Sequence, residues 1–501
     1  MKLYLNRKHL LLILFLVLAL IFKSKAQTNM SFYPIENQFN SSSYNPAFLT
    51  SDAQFTFSIF PLAGTNVGFN NQKEIQNLFS KLISGENKDD DYIDIVKSMV
   101  GQPTYNQKLE TGLLTFTYRS RFGFLNFRIM ENVAFSASVK GPVSEFMILP
   151  EIKSVFVDQV QNIPVQVIHY REYSIAYSLP QKNHKLTAGI RAKLYFGKSV
   201  FSSEISGAIR QDQPGTYALK TWGKGYFSMP EATNVNPDGS VSGNPDISSI
   251  SSYVFNSGNP GVGVDLGIKY KITPKLSVSM SVIDLGKIFW KTNLNSKIFD
   301  GEYPMKPTSL DPPSSVNGQQ IISKSSDSVS FTNSFSSIFQ LTNDGTRFST
   351  PLPVTLYAGV NYQISPTVKI NLIDRYISLK NFNHNSLLLS ANFDVSKKFT
   401  VNTGYSIIGN TYTNIPLAIQ FNRDFGQVYV GTDNLLAFLV PSISDFSGIT
   451  AGTCFYLFRK RKLYSSPTKT LPFHKPKKVK RVHNSGRIMK ETTEFGYPVQ
   501  E

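Results

Sequence analysis

The chain reads as an all-β protein: a transmembrane antiparallel up-and-down β-barrel of about sixteen strands, with fourteen as the alternative count. Three observations predict this. The first is two-residue alternation. Val262, Val264, Leu266, Ile268, Tyr270 and Ile272 alternate with Gly263, Asp265, Gly267, Lys269 and Lys271. After the turn Thr273-Pro274-Lys275, Leu276, Val278, Met280 and Val282 alternate with Ser277, Ser279 and Ser281. Successive side chains of a strand point to opposite faces. In a membrane barrel one row meets lipid and the other the lumen. Asp265, Lys269, Ser277, Ser279 and Ser281 are therefore expected to face the lumen, and Val264, Leu266, Val278 and Met280 to face lipid.

The second observation is an export signal. Lys2, Arg7, Lys8 and His9 precede the apolar run Leu10–Phe22, and Ser24-Lys25-Ala26 offers a small-x-small cleavage site before Gln27. This is the layout of a secretory signal peptide over residues 1–26. The apolar run is 13 residues, short of the ~20 that a spanning helix needs. Gln27 rather than a cysteine stands directly after the cleavage site, which excludes a lipoprotein, and no later segment approaches a spanning helix.

The third observation is composition. Aromatic residues make up 13% of the chain, enough for two interfacial girdles, and charged residues only 17%, low for a soluble protein. The net charge of +17 is localised. Five cations lie in the signal peptide, and the segment from Arg459 to Glu501 carries a net +9, leaving +3 for the body. That body offers no groove to track phosphates, so a nucleic-acid partner is not expected. Cys454 is the only cysteine, so no intrachain disulfide can form.

The elements follow in order. Residues 27–52 form an N-terminal hatch or plug segment, and 53–458 the barrel. Strands are expected at 53–70, 110–119, 121–140, 165–180, 185–198, 200–211, 215–228, 261–272, 275–291, 353–364, 367–380, 385–395, 397–408, 412–422, 425–433 and 448–458. Short turns then fall mostly at one end and long connections at the other, as in bacterial barrels with both termini in the periplasm. The least distinct boundaries lie within 200–228 and around residue 120.

Between the first two strands, Ile75, Leu78, Phe79, Leu82 and Ile83, then Tyr92, Ile93, Val96 and Met99, recur at helical spacing. They predict a small helical insert. The acidic triplet Asp89-Asp90-Asp91 within it lacks the spaced ligands and glycine of a calcium loop. The tail 459–501 is rich in Pro and Lys and reads as a basic, disordered periplasmic extension. Phe455-Tyr456-Leu457-Phe458 ends the last strand on an aromatic, a feature that barrel insertion machinery commonly reads.

Asn45-Pro46-Ala47, set just before the first strand, resembles the hatch region of fatty-acid transporter-like outer-membrane barrels, which have fourteen strands. The broader opening resembles a family of uncharacterised exported barrel proteins: Tyr44 to Thr50, then Phe55 to Pro61, and Asn66-Val67-Gly68. Ile283-Asp284-Leu285-Gly286-Lys287-Ile288-Phe289-Trp290 and Gly431-Thr432-Asp433-Asn434-Leu435-Leu436 look like its later motifs. The resemblance covers most of residues 28–458. It implies fold and location without an activity.

No catalytic constellation is visible. The six histidines are scattered, and Gly261-Val-Gly263-Val-Asp-Leu-Gly267 lies inside an alternating strand at the wrong spacing for a dinucleotide loop. Neither enzyme activity, a cofactor nor a metal is expected. The leading expectation is an outer-membrane barrel binding or transporting a small hydrophobic solute through a plugged lumen. Its neighbours would be outer-membrane lipid and the insertion machinery. The alternative is a structural or secretion-associated barrel that holds a periplasmic protein or the cell wall through its loops or tail.

Overall fold

Fourteen strands close on themselves among the residues that the computed structural model describes: 30–51, 53–70, 105–137, 159–179, 185–213, 216–228, 234–235, 241–242, 253–305, 346–378, 383–396, 398–408, 411–440, 444 and 446–459. The signal peptide, the helical stretch with its acidic triplet, the tail from residue 460, and most of the connections 229–258 and 292–350 lie outside them.

The wall comprises β1 (Ala53–Ile59 and Thr65–Asn70), β2 (Tyr105–Arg119), β3 (Phe124–Ala137), β4 (Gln161–Ile163 and Val165–Ser178), β5 (Leu186–Gln213), β6 (Thr216–Ser228 and Asn259–Lys271) and β7 (Leu276–Trp290 and Leu294–Met305). It continues through β8 (Phe348–Pro351 and Val354–Ser365), β9 (Val368–Ser378), β10 (Asn383–Ser396), β11 (Phe399–Ile408), β12 (Thr411–Asn414 and Leu417–Asn422), β13 (Gly426–Thr432) and β14 (Phe446–Arg459). Each strand pairs antiparallel with the next, and β14 pairs with β1. In the lower tier, closure leaves no edge among the described residues and satisfies the backbone inside lipid.

The count of sixteen is corrected to fourteen, and two local features explain the difference. Residues 185–198 and 200–211 are one strand. In β5, Ser199 faces His169 and Gly197 faces Tyr170, leaving Lys198 as an extra residue. This β-bulge shifts the alternation phase and looks like a turn in sequence. Tyr195 and Val200, five apart, consequently share one inner apolar cluster with Ile288 and Trp290.

The second feature is in β6. Thr216–Ser228 pairs with the upper half of β5, and Asn259–Lys271 with its lower half. The two pieces are one lane interrupted by an excursion at 229–258. Asn259 joins the tiers: its carboxamide oxygen accepts from Lys291 N (2.8 Å), Thr292 N (3.0 Å) and Thr292 Oγ1 (3.1 Å). Its amide nitrogen donates to Ser228 Oγ at 3.3 Å. The expected connection 292–350 likewise begins with a continuation of β7, which pairs with upper β6.

The outer face of the lower tier is apolar. On β5, Leu186, Ile190 and Leu194 are exposed, whereas Glu204, Arg210 and Gln211 are the exposed residues higher up. The belt continues through Leu266, Ile268, Met280, Val360, Leu372 and Leu389. Its height on β5 matches the ~9–11 tilted residues with which a strand crosses a bilayer. The upper tier lacks this apolar belt on β5. Among the described residues no helix is long and apolar enough to cross a membrane.

Candidate functional site

The lumen of the lower tier is filled by residues 30–51, which run as three short 3-10 turns, Met30–Phe32, Ser41–Ser43 and Pro46–Phe48. Met30, Phe32, Tyr33, Ile35, Tyr44 and Phe48 are buried and form one core with Ile283, Tyr357, Ile373, Leu388 and Tyr429 of the wall. Tyr33 stacks on Tyr357 with ring centroids 4.9 Å apart. Such a short stretch cannot form its own core. It is folded by the polar and aromatic inner surface around it.

Its backbone polar groups are met by wall side chains, as buried backbone requires. Asp433 accepts from Met30 N (3.0 Å) and Ser31 N (2.8 Å). Asn402 donates to Ser31 O (2.7 Å), Asn392 to Pro34 O (2.8 Å), and Gln427 both donates to Asn37 O and accepts from Phe39 N. Arg191 donates to Ser42 O and Oγ, each at 2.9 Å.

Asn45-Pro46-Ala47 is the docking turn of this segment. Asn45 caps the third 3-10 turn by accepting from Ala47 N at 2.9 Å. Its amide nitrogen donates to the backbone oxygens of Ile268 and Met280, each at 3.3 Å. The turn lies against Gly189 and Gly267, which face each other across β5 and β6. A Cβ on Gly189 would sit 2.3 Å from Pro46 C, and one on Gly267 2.0 Å from Asn45 Oδ1. Only glycine lets the backbones approach this closely.

The five residues expected to face the lumen divide as follows. Lys269 pairs with Glu36, which also accepts from Asn361 at 2.9 Å. Ser279 Oγ is 3.1 Å from Tyr33 OH, and Ser281 donates to Tyr44 O at 2.6 Å. Asp265 sits farther up, 2.9 Å from Lys193. Ser277 is half-buried at the foot of the same row. Burial alone would raise the Glu36 pKa. The nearby charges of Lys269 and Lys369 and the hydrogen bonds from Lys269 and Asn361 outweigh it, holding the carboxyl below its ordinary value of 4.5.

Above the segment lies an ionic layer, of which the sequence singles out Asp265 alone as lumen-facing. Lys193 contacts Asp284 (2.5 Å), Asp265 (2.9 Å) and Glu172 (3.5 Å), and Arg128 pairs with Glu172 at 2.7 Å. Inward alternation between outward Ile190, Ala192 and Leu194 identifies Arg191 and Lys193. Asp284 is different: strict alternation with Val282 puts it on the lipid side. A bulge opposite Val264 and Leu266, with Asp284 at φ 62°, turns it inward. Its N–H donates to Asp265 at 2.8 Å.

A cavity of about 120 Å³ is bounded below by Asn40, Ser43 and Tyr44 of the N-terminal segment. Its walls are mostly polar: charged residues, among them Lys108, Glu110, Arg128 and Arg375, and uncharged ones, among them Asn66, Asn132 and Gln166, surround a smaller apolar set, among them Met130, Ile168, Ile283 and Ile377. Among the described residues, no group of His, Cys, Asp and Glu is arranged to hold a metal ion.

Against known proteins, the profile of a family of unknown function, DUF5723, matches residues 46–433. No curated protein matches the chain. Among solved structures, the toluene transporter TbuX of Ralstonia pickettii is similar at TM-score 0.35 and 10% identity, over 83% of this chain and 92% of that one. The P. putida toluene transporter TodX gives 0.34 and 10%, over 86% and 95%. A FadL homologue of Pseudomonas aeruginosa gives 0.35 and 11%, over 86% and 95%.

Proposed function

We propose, for a chain that belongs to the family of unknown function DUF5723, that it is an outer-membrane barrel closed by its own N-terminal segment and that it binds and passes a small, largely hydrophobic solute. One observation carries this reading: residues 30–51 plug the lumen beneath a cavity whose lining mixes apolar and charged groups. A ligand site is concave and orients its ligand through placed polar groups, and here the apolar side chains Met130, Ile168, Ile283 and Ile377 supply the surface for an apolar body. The segment is held by separable contacts at Asp433, Glu36 and Asn45. Local rearrangement of these opens a path without disturbing the wall ladder.

The apolar belt supports placement in a membrane, and the export signal supports the outer one. The basic charge of residues 460–501, outside the described residues, is assigned to contact with anionic periplasmic surfaces or a periplasmic partner. Planar-bilayer recording tests the plug. The full chain should stay shut to small ions, whereas deletion of residues 30–50 should give stable currents. Calorimetry with benzyl alcohol tests the solute and should give saturable binding. A full chain that conducts like the deletion variant refutes the plug. A chain that binds no apolar solute and stays shut after the deletion is a structural barrel.

A further inference from the structure

Every charged group lining the cavity, with one exception, has an opposite charge close by. Lys108 pairs with Glu110 at 2.7 Å, Arg128 with Glu172 at 2.7 Å, and Lys193 with Asp284 at 2.5 Å. The exception is Arg375 on β9. It lies on the inner face, directly between Tyr357 of β8 and Ser386 of β10. Its side chain is buried, with 1% of the residue exposed, yet among the described residues no carboxylate lies within ion-pair distance. One Nη donates to Ser386 Oγ at 2.9 Å, the guanidinium also donates to the Tyr357 phenol, and the Nε, buried too, has no partner. The acid whose charge reaches it, Asp433, already accepts from Met30 and Ser31.

A buried guanidinium without a counter-ion is costly. Its fork of donors fits a carboxylate or another planar or tetrahedral oxyanion. The residues lining the space beside it include apolar Ile283, Pro353 and Ile377 and the phenol of Tyr357, whose ring is stacked on Tyr33. Its volume is near that of an engineered cavity that takes benzene, about 150 Å³. We propose that Arg375 is an anion-recognition residue, and that the cavity takes a small organic carboxylate whose acid group meets the guanidinium and whose apolar body lies against the isoleucines. This rests on the solute-binding reading and narrows it to an anionic amphipath.

The test is calorimetric titration of the full chain in detergent with benzoate, with benzyl alcohol as neutral isostere and sulfate as bare anion. Benzoate should bind saturably, and at least about tenfold more tightly than either, since a charge-assisted hydrogen bond contributes ~1.5–3 kcal/mol. Arg375→Gln should remove that advantage, bringing benzoate down to the level of benzyl alcohol, and Arg375→Lys should restore part of it. Ligand-free Arg375→Gln should migrate as a heat-resistant barrel at least as well as the parent, because it removes an uncompensated charge. If it loses heat resistance and the parent ignores benzoate, an acid of the chain itself holds Arg375 and the proposal falls. It falls too if sulfate or benzyl alcohol matches benzoate, or if Arg375→Gln binds benzoate undiminished. Benzyl alcohol binding without a benzoate preference sinks the anion site and leaves the solute reading standing. Loss of binding to both aromatics sinks the two together.

Discussion

Gly189→Ala should loosen the N-terminal plug without unfolding the barrel. The new methyl would lie 2.3 Å from Pro46 C, 2.4 Å from its oxygen and 2.5 Å from Ala47 N, against an ordinary contact of 3.4 Å or more. These are backbone atoms, so the docking turn must retreat by about 1.1 Å, the difference between the two distances. The bonds from Asn45 to Ile268 O and Met280 O are already 3.3 Å long. A retreat of that size breaks both, at ~0.5–1.5 kcal/mol each. The docked turn is then weakened by ~1–3 kcal/mol, or about 5- to 150-fold in its equilibrium. The Tyr33–Tyr357 stack and the bonds from Met30 and Ser31 to Asp433 lie outside the turn, so the earlier part of the segment should stay in place. Amide hydrogen exchange in detergent reads this directly. Protection should fall by about that factor at Phe48 and Leu49, whose N–H groups close the third 3-10 turn, and stay unchanged in β9 to β11. Unchanged protection at Phe48, or loss of protection across the wall, refutes the docking argument.

Three further outcomes are expected. Val278→Arg should cost ~2–4 kcal/mol if that face meets lipid at mid-depth, and Ser277→Arg much less; equal costs in a denaturant titration would overturn the assigned faces. The Glu36–Lys269 contact should impose a pH dependence on plug protection. Because the folded Glu36 carboxyl sits below its ordinary value, its stabilisation is fully present above that value and is lost as pH falls through the lower folded one; Glu36→Gln should flatten the profile, and an unchanged profile refutes the assignment. Asn259→Ala should leave Lys291 N and Thr292 N without their acceptor, at ~1–3 kcal/mol each, and should raise hydrogen exchange at Leu294–Met305 while the lower tier keeps its protection.

Much of the wall was legible in sequence because a lipid-facing strand has one chemical environment per face. Leu266 against Lys269, or Met280 against Ser279, carries the orientation of its whole strand. What was not legible depends on residues that break the period. Lys198 is one inserted residue, and it made a 28-residue strand look like two. The excursion at 229–258 split a lane whose unity is visible only from its ladder with β5. A sequence reading equates a strand with a contiguous run, whereas the hydrogen-bond ladder does not. Asp284 is the same effect at a single side chain: alternation sends it to lipid, and the bulge sends it to the ionic layer.

The candidate site was half visible for a related reason. Asn45-Pro46-Ala47 stands out because a proline turn before a strand is a local feature. Its receptor, Gly189 and Gly267, does not, because two glycines in alternating strands look like ordinary inner-face small residues until their cross-strand pairing is known. Arg375 was readable as inward-facing from Ile370 and Leu372. Its meaning lies in what surrounds it, and that depends on Tyr357 and Ser386 being its lateral neighbours rather than on any spacing within β9. A barrel wall thus separates two kinds of information. Which face a residue takes is written along each strand. Which charges meet is set by register across strands, so a guanidinium with no acid beside it among the described residues emerges only when the ring is closed.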